Sequence, residues 1–107
     1  MSAADPRQGE IYWASLDPTI GREIAKRRPV LIVSPDDMNR NLQTVIAAPL
    51  TTTIRKWPTR YVIHLRGKPR SVALDQIRCL SVARLGRKIT FVDPRPALDI
   101  LQRTFTP

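Results

Sequence analysis

The four-residue run Val30-Leu31-Ile32-Val33, closed on one side by Pro29 and on the other by Ser34-Pro35, constrains the fold most tightly. It is too short for a helix and too rich in β-branched residues to want one, so it reads as a strand buried on both faces. Three cations, Lys26-Arg27-Arg28, stand immediately before it, with Gly21 and Glu23 further upstream. Proline at 29 removes an N–H at the first strand position and drives Arg28 toward an extended backbone, which holds that arginine at the lip of the sheet. A guanidinium fixed where a loop meets a strand suits phosphate oxygens, because its donors form a planar fork. A merely solvated basic loop fits the same fifteen residues, 21–35.

The rest of the chain repeats the short-strand theme. Residues 9–107 read as one domain behind a flexible Met1–Gln8. Strands are expected at Glu10–Leu16, Val30–Val33, Gln43–Pro49, Arg60–Leu65 and, as the last long one, Ser71–Leu80. Residues 17–28 form a loop of about a dozen, a length often kept for function. Ser34-Pro35-Asp36-Asp37 opens a helix of one or two turns, and Ser81–Leu85 reads as a brief helix ended by Gly86. Asp93-Pro94 begins a final helix whose apolar side carries Leu98, Ile100, Leu101 and Phe105. Mainly β structure follows: a small, strongly bent sheet or half-open barrel with short helices and a C-terminal helix packed on it.

Eighteen Lys and Arg against nine Asp and Glu give 107 residues a net charge of +9, which favours a polyanionic partner. RNA, DNA, an acidic protein tail and an anionic membrane qualify, the membrane least. No stretch approaches the roughly 18 apolar residues of a membrane span and no export signal is visible, so a cytoplasmic protein is expected. A single cysteine, Cys79, and a single histidine, His64, offer neither a disulfide nor a metal cluster. Chemistry therefore rests on Arg, Lys, Asp, Glu, Ser, Thr or Tyr, with no cofactor. Within Leu50–Pro58, Thr51, Thr52 and Thr53 lie near Arg55, Lys56 and Trp57, a mixture suited to holding phosphates and stacking a base. Turn-forming threonines and a Trp57 that covers the core explain the same residues. Asp75, inside an apolar run, needs a hydrogen-bond partner or a cation, and structural anchoring is the simpler role.

The succession Gly9-Glu10-Ile11-Tyr12-Trp13, Leu16-Asp17-Pro18-Thr19-Ile20-Gly21, Glu23, Arg28–Pro35, Asn39-Arg40, Ala48-Pro49-Leu50-Thr51 and Val72–Arg78 resembles the MazF/PemK toxins of bacterial toxin–antitoxin pairs. The resemblance implies a Src-homology-3-like β-barrel, a homodimer, and a ribosome-independent, metal-independent endoribonuclease. Such toxins cut single-stranded RNA at short motifs, leave 2′,3′-cyclic phosphate and 5′-hydroxyl ends, and are neutralised by an antitoxin with an acidic tail. By the same resemblance Arg28 and Thr51 are the catalytic pair. Glu23 is the candidate for accepting the 2′-OH proton or for holding Arg28. Asp75 and Gln76 would read a base edge, and Arg22, Lys26, Arg27, Asn39, Thr52, Thr53, Arg55, Lys56 and Trp57 would contact the strand.

Two departures shift the weight of catalysis. Some relatives carry a histidine where this chain has Arg22, and an arginine where it has Ala73, which leaves Arg28 and Glu23 to do more. A sister class on the same fold poisons DNA gyrase and ends in Trp-Gly-Ile, whereas this sequence closes on Thr104-Phe105-Thr106-Pro107. A non-catalytic RNA-binding module is the other alternative.

Overall fold

The computed structural model describes residues 5–107. Seven strands form one curled antiparallel sheet: β1 (Glu10–Ser15), β2 (Arg27–Ile32), β3 (Thr44–Thr51), β4 (Arg60–Leu65), β5 (Lys68–Ala73), β6 (Arg78–Ser81) and β7 (Leu85–Phe91). Two helices accompany them, α1 (Asp36–Leu42) and α2 (Arg95–Phe105). The order across the sheet is β4-β5-β3-β2-β1-β7, with β6 paired to β3 beside this path.

Strand β3 is the hub. One edge pairs with β2 through Ala47, Ala48 and Pro49. The other pairs with β6 over Thr44–Ala47 and then with β5 at Leu50 and Thr51. The changeover falls at Ala48-Pro49, where a proline has no N–H to give a ladder and small side chains let the strand bend. This breaks the long strand expected over 71–80: Leu74–Gln76 becomes a 3-10 turn between β5 and β6. Two more expectations shift. The sheet includes Arg27, Arg28 and Pro29, with Pro29 opposite Trp13, so Arg28 sits inside a strand rather than before one. Gly86 lies within β7, after a 3-10 turn at Val82–Arg84.

Alternation along β2 splits the core into two layers, as the apolar run requires. Leu31 and Val33 pack with Ile11, Ala48, Leu50, Val72 and Leu74 beneath Ala97 and Ile100 of α2. Val30 and Ile32 pack on the other side with Ala14, Leu16, Val45, Ala47 and Leu80. Each such side chain contributes about 1.5–3 kcal/mol on burial, so a sheet covered on both faces is what this sequence can stabilise. Gly9 marks the seam where β1 enters. Its φ is +95°, and an added Cβ would lie 2.6 Å from Phe91 and from the Val92 carbonyl, so only glycine fits.

Of the Met1–Gln8 segment expected to be flexible, Met1–Ala4 lie outside the described residues, and the part described makes the following contacts. Pro6 is buried, the Arg7 N–H donates to Glu10, and Gln8 bonds both Val33 and Asp36. The anchor is Asn39, which the sequence suggested as an RNA contact. It is fully buried, donates its amide N–H to the carbonyls of Pro6 and Ser34, and accepts from the Ser34 hydroxyl. Asn39 therefore ties the N-terminal segment to α1 from inside and presents nothing to a ligand. Asn39→Ala is expected to lower stability by about 2 kcal/mol or more, through orphaned partners, read as a drop in the urea midpoint at unchanged slope.

Candidate active site

Loop 16–26 is held by bonds to its backbone. At its base the Leu16 N–H donates to Lys26 O and the Lys26 N–H to the Asp17 carboxylate, at 2.9 and 3.0 Å. Glu23 accepts the Ile20 N–H at 2.7 Å and closes a turn at the crown. Gln76 grips the flank, its carbonyl oxygen accepting the Ile24 N–H at 2.7 Å and its amide donating to Arg22 O at 3.4 Å. Arg84 and Arg78 donate to carbonyls of Ser15–Asp17.

Arg28 leaves this loop in a fixed pose: its Nε donates to Ala25 O at 2.9 Å. Among the described residues its two terminal nitrogens have no partner and no carboxylate lies in salt-bridge range. The paired register Val30↔Pro49, Leu31↔Ala48, Ile32↔Ala47 stops two residues short of Arg28 and Thr51, which lie at the same end of the β2–β3 pair. Thr51 is buried apart from 7% of its surface, and its Oγ1 accepts the Thr53 N–H at 3.2 Å. That contact leaves its hydroxyl hydrogen free to donate. Ser71 is paired with Thr51, and its buried hydroxyl has no partner among the described residues.

Arg28 lines the first of two surface grooves. The first, about 510 Å³, has a floor of Trp13, Pro29, Leu50, Leu65 and Ile89 and a rim of Lys26, Arg27, Arg28, Arg66, Lys68 and Arg70, with Thr52 beside them. Among the described residues no carboxylate lines it. It is the end of the α2-side core layer that the helix does not cover. The second, about 380 Å³, is lined by Arg22, Glu23, Ile24, Pro49 and Asp75–Arg78.

The candidate residues are thus divided. Lys26, Arg27, Arg28 and Thr52 border one groove; Arg22, Glu23, Asp75 and Gln76 border the other. Thr53, Arg55, Lys56 and Trp57 lie exposed in the connection from β3 to β4. Three roles change with the geometry. Glu23 makes no ion pair with Arg28; the Ala25 carbonyl orients that arginine instead. Gln76 spends its amide on the loop. Asp75 accepts from Arg60 Nε and a terminal nitrogen at 2.7 and 3.0 Å and from Thr59, so it is the anchor its position suggested. Trp57 does not cover the core: it is half-exposed against Arg60.

The sequence did not point to Arg66, Lys68 and Arg70 on the first groove, to Arg78 on the second, or to Arg60, which holds Asp75, as candidates. The basic hairpin 66–70 was visible, but not that β4 and β5 bring it across from Arg27. Other groups withdraw from acid–base work. Tyr12 and Tyr61 are both pushed up to about 12, chiefly by burial, and remain protonated at neutral pH. Among the described residues no three His, Cys, Asp or Glu side chains gather to hold a metal.

Residues 7–104 match the family described as PemK-like, MazF-like toxins of type II toxin–antitoxin systems. This chain belongs to that family. It is 35% identical over 100 residues to the endoribonuclease MazF of Staphylococcus epidermidis, covering 88% of this chain and 83% of that one. The Mycobacterium tuberculosis toxin MazF-mt6 superposes with a TM-score of 0.74 at 30% identity, over 90% of this chain and 95% of that chain. A mycobacterial endoribonuclease in complex with its cognate antitoxin superposes at 0.71 and 28% identity, over 91% and 87%. The β-barrel expected from the sequence is therefore the observed fold, and the toxin family is the one the motifs indicated.

In this toxin the hydrogen bonds from Arg60 hold the Asp75 carboxyl below the usual 3.8. A depressed carboxyl stabilises the fold fully above its unfolded value and loses that contribution as pH falls through the folded one. Asp75→Asn should cost about 1–3 kcal/mol at pH 7, less than a fully buried pair because the carboxylate is partly solvated. Urea midpoints from pH 7 down to pH 2 should fall less steeply in the variant.

Proposed function

We propose that this family member is a metal- and ribosome-independent endoribonuclease acting on single-stranded RNA. A ribose 2′-OH attacks its own 3′-phosphodiester, the P–O5′ bond breaks, and the products carry a 2′,3′-cyclic phosphate and a 5′-hydroxyl. Because the nucleophile belongs to the substrate, the protein has to seat one phosphate, stabilise its developing charge and move protons. The observation that carries this reading is Arg28: it is pinned by the Ala25 carbonyl, its terminal nitrogens are unpaired among the described residues, and it lies at the same end of the β2–β3 pair as Thr51.

The Arg28 terminal nitrogens neutralise the nonbridging oxygens, and the Thr51 hydroxyl donates to one of them. Arg28 acts as a charge, since a guanidinium hardly deprotonates near neutral pH. Glu23 is the candidate base for the 2′-OH: one carboxylate oxygen takes the Ile20 N–H, and the side chain borders the second groove. The cationic first groove guides the strand. The same surface suits an antitoxin whose acidic segment carries an apolar residue for the floor. A homodimer in the cytoplasm is the assembly and compartment that the family resemblance supports.

Purified protein should cut a long unstructured RNA without ribosomes and with EDTA present, leaving ends that polynucleotide kinase labels without prior phosphatase treatment. Arg28→Ala should lower the rate by about 10²–10³-fold and Thr51→Ala by about tenfold or more. Complete inhibition by EDTA, or full activity in Arg28→Ala, overturns the mechanism.

A further inference from the structure

Trp57 stands at an odd place for so large an apolar side chain: it is 49% exposed, on a connection that also carries Arg55 and Lys56. Behind it lies a rigid support. The Arg60 guanidinium sits 4.6 Å from the ring centroid, with only 6% of that side chain exposed. Arg60 is locked in turn by its two-pronged bond to Asp75, at 2.7 and 3.0 Å. Its backbone N–H also donates to the Trp57 carbonyl at 3.0 Å. Arg55 lies 5.5 Å from the same ring but is exposed and has no carboxylate partner among the described residues, so it can move aside. Asp75 and its neighbour Gln76 also line the second groove, so this support is continuous with that groove's wall.

An indole used to seal a core would be buried, and a cation–π pair used only for stability would not need a buried, fully neutralised arginine beneath an exposed ring. A flat aromatic surface immobilised before any ligand arrives avoids the ordering cost of binding. Stacking platforms of this kind hold the unpaired bases of single strands, while nearby cations attract the phosphates. We infer that Trp57, backed by Arg60, is a stacking subsite for one unpaired nucleobase beside the scissile step, at the mouth of the second groove. Trp57 contacts the base, and Arg60 is a positioning residue that acts through it. The inference rests on the ribonuclease reading for its substrate. An acidic peptide is the competing occupant, and a stacked base is favoured because an exposed ring offers a π-face without a pocket for a side chain.

The test combines an uncleavable probe with cleavage kinetics. A mixed-sequence 2′-O-methyl oligoribonucleotide, which has no nucleophile, is titrated while tryptophan fluorescence is followed. Part of the quenching should saturate and be absent in Trp57→Phe, which assigns it to Trp57. Trp57→Leu should weaken binding of the probe, and raise the KM for RNA, by about ten- to a hundredfold, with the larger part of the loss in KM rather than kcat. Trp57→Phe should recover most of that binding. Arg60→Lys keeps the charge but loses the fork and the planar stack, and should reproduce the Trp57→Leu loss. Trp57 is exposed, so its variants decide the matter even if Arg60→Lys fails to fold. The inference is overturned if Trp57→Leu cleaves with an unchanged KM, or if an acidic peptide quenches Trp57 where the oligonucleotide does not. Should the oligonucleotide quench Trp57 while the unaltered protein cuts no RNA, the subsite stands and the nuclease reading falls.

Discussion

The way β3 changes partners on one edge governs the rest of the molecule. Between Ala47, paired with β6, and Leu50, paired with β5, the chain passes Ala48-Pro49, and Pro49 has no N–H for either neighbour. The strands on that side must part, and the gap is spanned by the 3-10 turn at Leu74–Gln76. That turn carries the two side chains that steady the site: Asp75, which fixes Arg60, and Gln76, which fixes the loop leading to Arg28. A missing backbone donor in the middle of the sheet thus becomes the wall of a groove.

Electrostatics follow a division of labour. Carboxylates are spent on structure: Glu10 on Arg7, Tyr12 and Lys88, Asp17 on Lys26, Asp36 on Gln8, Asp75 on Arg60, Asp93 on Arg95. Glu10 shows the balance, since burial pushes its carboxyl up and the donors around it more than compensate, leaving it below its usual value. The excess of positive charge is left to gather on the rim of the first groove, where no acid among the described residues lines the surface. Focused in a concave site, such charge attracts polyanions more strongly than the same residues scattered over a surface would.

Much of the fold was legible because its signals are local. The run 30–33, the helix opening after Asp93-Pro94, the hairpin at Arg66-Gly67 and the alternation in 60–65 each depend on near neighbours. What could not be read involves partners far along the chain. The break at 74–76 depends on Pro49, a residue much earlier in the sequence. The same holds for the site. Arg28 and Thr51 could be named from motifs, but Arg60 looks like an ordinary strand cation until the fold brings Asp75 to it. Asn39 shows the reverse failure: a polar residue in a matching motif looked like a contact, yet it faces inward toward Pro6 and Ser34.

The bonds that shape loop 16–26 end almost entirely on main-chain atoms: the amides of Ile20, Ile24 and Lys26, and the carbonyls of Leu16, Arg22 and Ala25. Leu16 is buried in the core, but the exposed side chains of Ile20, Arg22 and Lys26 are then under little architectural obligation. A lineage carrying this scaffold can rewrite what the loop recognises, one substitution at a time, while the frame that aims Arg28 stays as it is.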